Sequence, residues 1–297
     1  MVTKMGGFFC EYPGRAVIAL SDEDRVSFLQ ALISNDIAAL PPGGARWAAL
    51  LTPQGKYLCD FFVINAGERL LLDVEAGRAE DLLQRLRRFK LRAKIGLEIV
   101  PGAQVWLGWG DALPAVLGPG DDGGGRLMAD GVIFTDPRLA GLGLRLVALE
   151  PGAAQVFAAN GLNAAEFAVW DRLRIEAGVP EGTRDLVPEQ SILLEAGFDE
   201  LHGVSWTKGC YIGQELTART KYRALIKKRL IPVRINGAAP AFGSVIEQGG
   251  KEAGEMRSSQ GDIGLALLRL ETLGDDAQPL QVADSTLVAV PPAWLKT

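Results

Sequence analysis

Lys208-Gly209-Cys210-Tyr211-Ile212-Gly213-Gln214-Glu215 is the most informative stretch of this chain. It sets a thiol between a glycine turn and the start of a predicted helix that runs to about Tyr222. A helix start offers unpaired backbone N–H groups and the positive end of the dipole. Both favour an anion, so Cys210 sits where a thiolate would be stabilised. Lys208, two residues upstream, adds to that field if its ammonium turns inward. Gly209 and Gly213 let another group approach the backbone closely, and Gln214 and Glu215 supply an amide and a carboxylate within one turn. The competing reading is a buried structural cysteine, because a free cysteine packs as a small hydrophobe.

Outward from this stretch, the bulk of the chain narrows the function classes. Its 297 residues suffice for two or three domains. A net charge of −5 argues against a general nucleic-acid binder, which carries a basic excess. Small-molecule or protein partners fit better. The three cysteines, Cys10, Cys59 and Cys210, form no CxxC pair and no zinc pattern. A sparse, odd count suits a reducing compartment. With one histidine, His202, a multi-histidine metal site within one chain is excluded. The opening residues lack a long apolar core and carry Glu11 and Arg15, so neither a signal peptide nor a membrane span is expected. A cytoplasmic location follows as the expectation.

Pattern reading gives strands and helices in a mixed order. Ala16 to Leu20 reads as a strand. Ser21-Asp22-Glu23-Asp24 has the form of a helix start, and Val26, Leu29, Leu32 and Ile33 recur at helical spacing over Asp22 to Ser34. Strands follow at Arg46 to Thr52, Tyr57 to Asn65 and Arg69 to Val74, then a helix at Ala79 to Phe89, then strands at Ile95 to Val100 and Val105 to Trp109. The glycine-rich run Gly118 to Gly125 closes with no GK[ST], so it is not a phosphate cradle. Strands at Val132 to Thr135 and Leu142 to Leu149 lead to helices at Ala153 to Asn160 and Ala164 to Ala177, the second ended by Gly178. From Lys227 short strands alternate with glycine turns, the pattern of a small antiparallel barrel. The expected domains are 1–117, 118–226 and 227–297: two α+β units, then the barrel.

The octapeptide KGCYIGQE resembles the signature of the YgfZ family of folate-binding proteins, relatives of the glycine cleavage T-protein (aminomethyltransferase) that support iron–sulfur enzymes. The resemblance extends along most of the chain. It implies an α+β fold of three domains in a cloverleaf: two interlaced antiparallel, ferredoxin-like domains and a C-terminal β-barrel around a folate channel. It implies tetrahydrofolate, or a one-carbon derivative, as the cofactor. It also implies iron–sulfur client or assembly proteins as partners, with no direct nucleic-acid or membrane binding and no resident metal.

Three residues outside the octapeptide are carried over to the folate. Asp60 follows the turn Pro53-Gln54-Gly55-Lys56 where the T-protein has paired aspartates; here the first of the pair is Cys59. Glu176 ends the segment Arg172-Leu173-Arg174-Ile175-Glu176-Ala177-Gly178, where relatives use a glutamate to accept the pterin N–H and amino group. Arg223 stands in Tyr222-Arg223-Ala224 where relatives often have His-Arg-Gly. The local alternatives are a solvated carboxylate on an edge strand for Asp60 and a surface pair with Arg172 for Glu176. The tryptophans are expected in the core or at domain interfaces.

Two basic clusters stand out in an acidic chain. One spans Arg85 to Lys94 and the other Arg219 to Arg229; the second is a candidate to steer an anionic folate tail or an acidic partner.

Three functions remain open on this reading. The first is a folate-binding accessory protein that helps assemble or repair iron–sulfur clusters in clients, including radical enzymes of tRNA modification. Cys210 would be its working thiol, and a second protein or subunit would complete the ligand set, because a cluster normally takes four ligands. The second is a folate-dependent aminomethyl or one-carbon transferase. The third is a thiol enzyme pairing Cys210 with His202.

Overall fold

In the computed structural model, residues 6–110, 113, 123–152, 154–223, 225–274 and 279–295 are described. Most of the glycine-rich run from Gly118, with Asp121 and Asp122, and Ala224 lie outside them. The first half of the chain forms β1 (Phe8–Glu11), β2 (Arg15–Ser21), α1 (Arg25–Gln30), β3 (Ala45–Leu51), β4 (Tyr57–Asn65), β5 (Leu70–Glu75), α2 (Ala76–Lys90), β6 (Gly96–Ile99) and β7 (Gln104–Trp109). Then come β8 (Gly125–Met128), β9 (Gly131–Thr135), β10 (Leu144–Ala148), α3 (Ala154–Ala159), β11 (Asn163–Ala164), α4 (Phe167–Glu176) and α5 (Gln214–Tyr222). The last segment adds β12 (Lys228–Asn236), β13 (Val245–Gln248), β14 (Lys251–Gln260), β15 (Ile263–Arg269), β16 (Leu280–Val282) and β17 (Ser285–Ala289).

Two compact units emerge, and neither is continuous in sequence. The first comprises Met1–Leu50, Cys59–Phe167 and His202–Ile212. The second comprises Leu51–Leu58, Ala168–Leu201 and Gly213–Thr297. Cys210 therefore belongs to the first unit and the helix that follows it to the second.

The first unit is built on two sheets. One has the order β3-β4-β5-β2-β6, the other β11-β1-β7-β10-β9-β8. β4 lies inside the first sheet, and eight of its nine residues are buried, which is why it reads as an unbroken apolar run. α2 lies on that sheet through Ala79, Leu82, Leu83 and Leu86. Phe89, where the predicted helix ends, is 43% exposed at the last turn of α2. In the second sheet, Phe9, Ile133, Leu144, Leu146 and Phe157 form an apolar cluster, and Phe9 stacks on Phe157 at 5.6 Å.

α1 is shorter than its apolar spacing predicts, six residues rather than thirteen. Asp22 has φ 71°, and Asp24 at the N-cap makes no side-chain cap; its carboxylate instead accepts the Lys94 main-chain N–H at 2.7 Å. Beyond Gln30 the chain leaves the helix so that Ile33 can pair with Leu50 of β3.

The second unit carries the barrel, closed in the order β12-β15-β14-β13-β16-β17. Ile231, Val233, Ile246, Met256, Ala266 and Leu268 fill it. β14, ten residues long, has no counterpart in the sequence pattern, because its buried positions mix Ala253 and Met256 with the polar residues Arg257 and Ser258. α4 ends at Gly178, with φ 74°, as its sequence position predicts.

Candidate functional site

The signature loop is held from both sides of its thiol. Lys208 is buried, and its ammonium donates to three main-chain carbonyls: Gln30 at 2.7 Å, Ile33 at 2.6 Å and Asn35 at 2.8 Å. These belong to the end of α1 and the turn after it, where helix carbonyls otherwise lack partners. The ammonium also lies 5.1 Å from the centre of the Tyr211 ring, and Tyr211 is buried. Burial pushes Lys208 down from 10.5 to about 8, with the Asp36 carboxylate opposing.

The segment leading into the signature is stitched to the same turn. Ser205 N–H donates to Ser34 O at 3.0 Å, Ser34 Oγ to Gly203 O at 2.7 Å, and Asn35 Nδ2 to both Trp47 O at 2.7 Å and His202 O at 2.6 Å. His202 holds a left-handed backbone, φ 59°. It lines a cavity of about 610 Å³ with Asn35, Asp36, Arg46, Trp206 and Thr207. Cys210 is not among the described residues of that cavity.

Between Lys208 and Tyr211, Gly209 and Cys210 are exposed. A Cβ built on Gly209 meets no atom within 4 Å. Cys210 precedes the N-cap of α5, Gly213, by three residues, outside the first turn where the dipole acts most strongly. The inward-turned Lys208 is committed to carbonyls. The competing picture of Cys210 as a buried structural cysteine does not hold, whereas Cys10 and Cys59 fit it. Burial, with Glu166 and Glu11 adding, pushes the Cys10 thiol up to about 12; burial, then the Asp60 charge, raises Cys59 further.

Gly213 is required by the fold of the second unit. Its φ is 81°, and a Cβ there would lie 2.6 Å from Thr52 O and 2.9 Å from Leu51 Cβ. Gly55, in the turn of the same hairpin, approaches Gly213 O less tightly, 3.1 Å from its built Cβ. α5 then exposes Glu215, Leu216, Arg219, Tyr222 and Arg223 at helical spacing, while Thr217 is buried. Lys221 pairs with Asp199 at 2.8 Å, and Arg229 with Glu200 at 2.8 Å.

Asp60 does not sit on a solvated edge. It is 5% exposed in β4, and Trp47 Nε1 donates to its Oδ2 at 2.8 Å. Glu176, at the end of α4, is half-exposed and paired with Arg172 at 2.9 Å; the same guanidinium holds Asp262 at 2.5 Å. Among the described residues no three His, Cys, Asp or Glu side chains are grouped to hold a metal. No helix among them is long and apolar enough to cross a membrane.

Two buried charge networks escaped sequence reasoning. In the first unit Arg15, Asp73, Arg145, Asp136 and Arg138 alternate in sign: Arg15–Asp73 at 2.6 Å, Arg145 to Asp73 at 2.9 Å and to Asp136 at 3.0 Å, Arg138–Asp136 at 2.9 Å. Arg145 also stacks 3.9 Å over the Phe62 ring. Although burial pushes Asp136 up, Arg138 and Arg145 hold it below its ordinary 3.8. In the second unit Arg174 joins Asp171 of α4 at 2.7 Å, Asp185 of the following loop, and Ser258 of β14 at 2.7 Å. The available signal was a charge inside an apolar strand, as in Leu144-Arg145-Leu146.

The architecture is that of the aminomethyltransferases. The glycine cleavage system aminomethyltransferase T from Bartonella henselae superposes with a TM-score of 0.79 over 99% of this chain and 87% of that one, at 18% identity, a likeness of fold. Residues 227–297 match the family described as CAF17, C-terminal beta-barrel domain. Mouse "Iron-sulfur cluster assembly factor IBA57, mitochondrial" is 33% identical, covering 96% of this chain and 84% of its own. The human protein of the same name is likewise 33% identical, with the same coverage. The chain therefore belongs to the IBA57/YgfZ family of iron–sulfur cluster assembly factors.

Proposed function

We propose that this protein is a tetrahydrofolate-binding accessory factor for the assembly or repair of iron–sulfur clusters in client enzymes, radical enzymes of tRNA modification among them, with Cys210 as its working thiol. The observation that carries this reading is an exposed cysteine on an anchored loop, in a chain of this family. A lone thiolate supplies one of the ligands a cluster needs, so its role is transient: it shares a cluster, or sulfur, with a protein that brings the remaining ligands.

The folate chemistry fits the residues present. Glu176 is a solvent-reachable carboxylate, and such a group accepts two parallel hydrogen bonds from a pterin edge. To do so it exchanges Arg172 for the ligand. Asp60 is a buried acceptor oriented by Trp47. Arg223 offers a cation to the carboxylates of the folate tail. When bound, the folate supplies one-carbon chemistry; the residues named here bind and orient it.

The exposed face of α5 suits an acidic protein partner. It combines Tyr222 and Leu216 with Arg219 and Arg223, the mixture that dominates interface energetics, in a chain of net charge −5. The three cysteines are all free, in keeping with a reducing compartment such as the cytoplasm; the mouse and human relatives are mitochondrial by name.

The deciding experiment is anaerobic calorimetric titration with tetrahydrofolate on the wild type and Glu176→Ala. Saturable binding weakened by the substitution supports the pterin at Glu176. No binding by a folded wild type removes folate from the proposal.

A further inference from the structure

Lys208 reaches across some 175 residues of chain to the turn at Ile33. An ammonium has three protons in a tetrahedral fan, and here all three are used, each on a different carbonyl. Those carbonyls come from both the last residue of α1 and the turn at Ile33 and Asn35, so one side chain closes the helix end and fixes the turn. One residue beyond the thiol, the Tyr211 ring packs on the same ammonium. The loop is thus fastened to one point on each side of Gly209-Cys210, and those two residues stay exposed with open space beside Gly209. Burying a lysine at this cost in desolvation needs a return, and a surface residue would serve an unconstrained loop equally well.

We infer that Lys208 is the positioning residue for the Cys210 thiol: its ammonium, shared between Tyr211 and the carbonyls of the α1 end and the turn after it, holds the two-residue arch in one outward conformation. The inference rests on the reading of Cys210 as the working thiol. Its content is geometric, because an anchored arch presents the sulfur to an incoming partner without a prior ordering cost. Deleting the ammonium leaves three carbonyls short of a donor, those of Ile33 and Asn35 buried, and frees the arch at its N-terminal side. Arginine keeps the charge, but its planar fork cannot direct three protons onto three carbonyls that converge on one atom.

The test uses a nitroxide spin label attached through a disulfide to Cys210 in the full chain, the other two cysteines being buried. The wild type gives a slow-motion spectrum. Lys208→Met shortens the label's correlation time severalfold, into the range of a mobile loop, and Lys208→Arg gives an intermediate value. A label on Tyr222→Cys in a Cys210→Ser background serves as the control and does not change with either substitution. Equal mobility at Cys210 in all three proteins overturns the inference. If Lys208→Met does not fold, Lys208→Arg carries the test, and a wild-type spectrum there also overturns it. The readout is independent of folate and clusters, so a failed functional reading and a failed positioning role give different results.

Discussion

Trp47 donates its indole N–H to the Asp60 carboxylate over 2.8 Å, and both side chains are buried in neighbouring strands of one sheet. The same indole ring lies 5.6 Å below the Arg138 guanidinium, so the candidate folate-binding aspartate is linked through Trp47 to the buried charge network of the first unit. A carboxylate in this setting is oriented by the core rather than by solvent.

Trp47→Phe keeps much of the apolar volume and deletes the donor. The expected cost is about 1–3 kcal/mol, that of a buried acceptor losing a partner, read as a lower urea midpoint with unchanged slope. Asp60→Asn together with Trp47→Phe is expected to cost less than the sum of the singles, since the two act through one contact. Additive losses would show that Trp47 acts by packing alone.

Arg174 is the hub of the second unit. Arg174→Met leaves the buried Asp171 with Arg184 alone, takes the guanidinium from the buried Asp185 and leaves Ser258 of β14 without it. A loss of about 3–5 kcal/mol is expected, the cost of breaking a buried pair from one side. Acidity provides a second check. Burial pushes Asp171 up, yet hydrogen bonds from Arg184 and the charge of Arg174 hold it below 3.8. A carboxylate depressed in the folded state contributes its full stability above its unfolded pKa and loses it as pH falls through the folded one. Wild-type stability therefore drops below about pH 4, and Arg174→Met flattens that drop. A variant with the wild-type acid limb would count against the assignment.

Much of this molecule was legible as pattern. β4 begins and ends where its apolar run does, Gly178 stops α4, and the glycine-spaced strands after Lys227 close into a barrel. What was hidden is what apolar periodicity does not encode. β14 is held partly by Ser258 on Asp185 and Arg174, so it reads as a polar loop. α1 stops early because Ile33 pairs with β3 and Lys208, far along the chain, takes the carbonyls that a further turn would use. At the site, the octapeptide singled out Cys210 as a candidate, but no local rule tells that Lys208 turns inward while the thiol two residues on is exposed. Nor does sequence show that Asp60 is buried beside Trp47, because a lone aspartate in an apolar strand reads equally as an edge residue.

The three cysteines separate cleanly in reactivity. Cys210 is exposed, whereas Cys10 and Cys59 are buried and their thiols are pushed far above neutrality, chiefly by burial. Native protein treated with iodoacetamide at pH 8 is expected to gain one adduct, located at Cys210 by peptide mass spectrometry, and urea-unfolded protein three. Modification of Cys10 or Cys59 at the rate of Cys210 would show that the first unit opens far more readily than its packing allows.

The two signature glycines make opposite predictions. Gly213 has a left-handed backbone, and a Cβ there would lie 2.6 Å from Thr52 O, so Gly213→Ala strains the N-cap of α5 against the hairpin turn; a loss of about 1–3 kcal/mol is expected. Gly209 has no such need: a Cβ meets nothing within 4 Å, and its φ lies outside the left-handed region. Gly209→Ala should therefore change stability by less than about 0.5 kcal/mol. If it nonetheless impairs cluster delivery to a client while Cys210 still takes iodoacetamide at the wild-type rate, the bare backbone at Gly209 serves the approach of a partner to the neighbouring sulfur. If Gly209→Ala matches the wild type in stability and delivery alike, the glycine is neutral, and partner contacts at this loop reside in Cys210 and the exposed face of α5. A destabilisation at Gly209 as large as that at Gly213 would mean that the loop is packed in solution, and the exposed-thiol reading would fall with it.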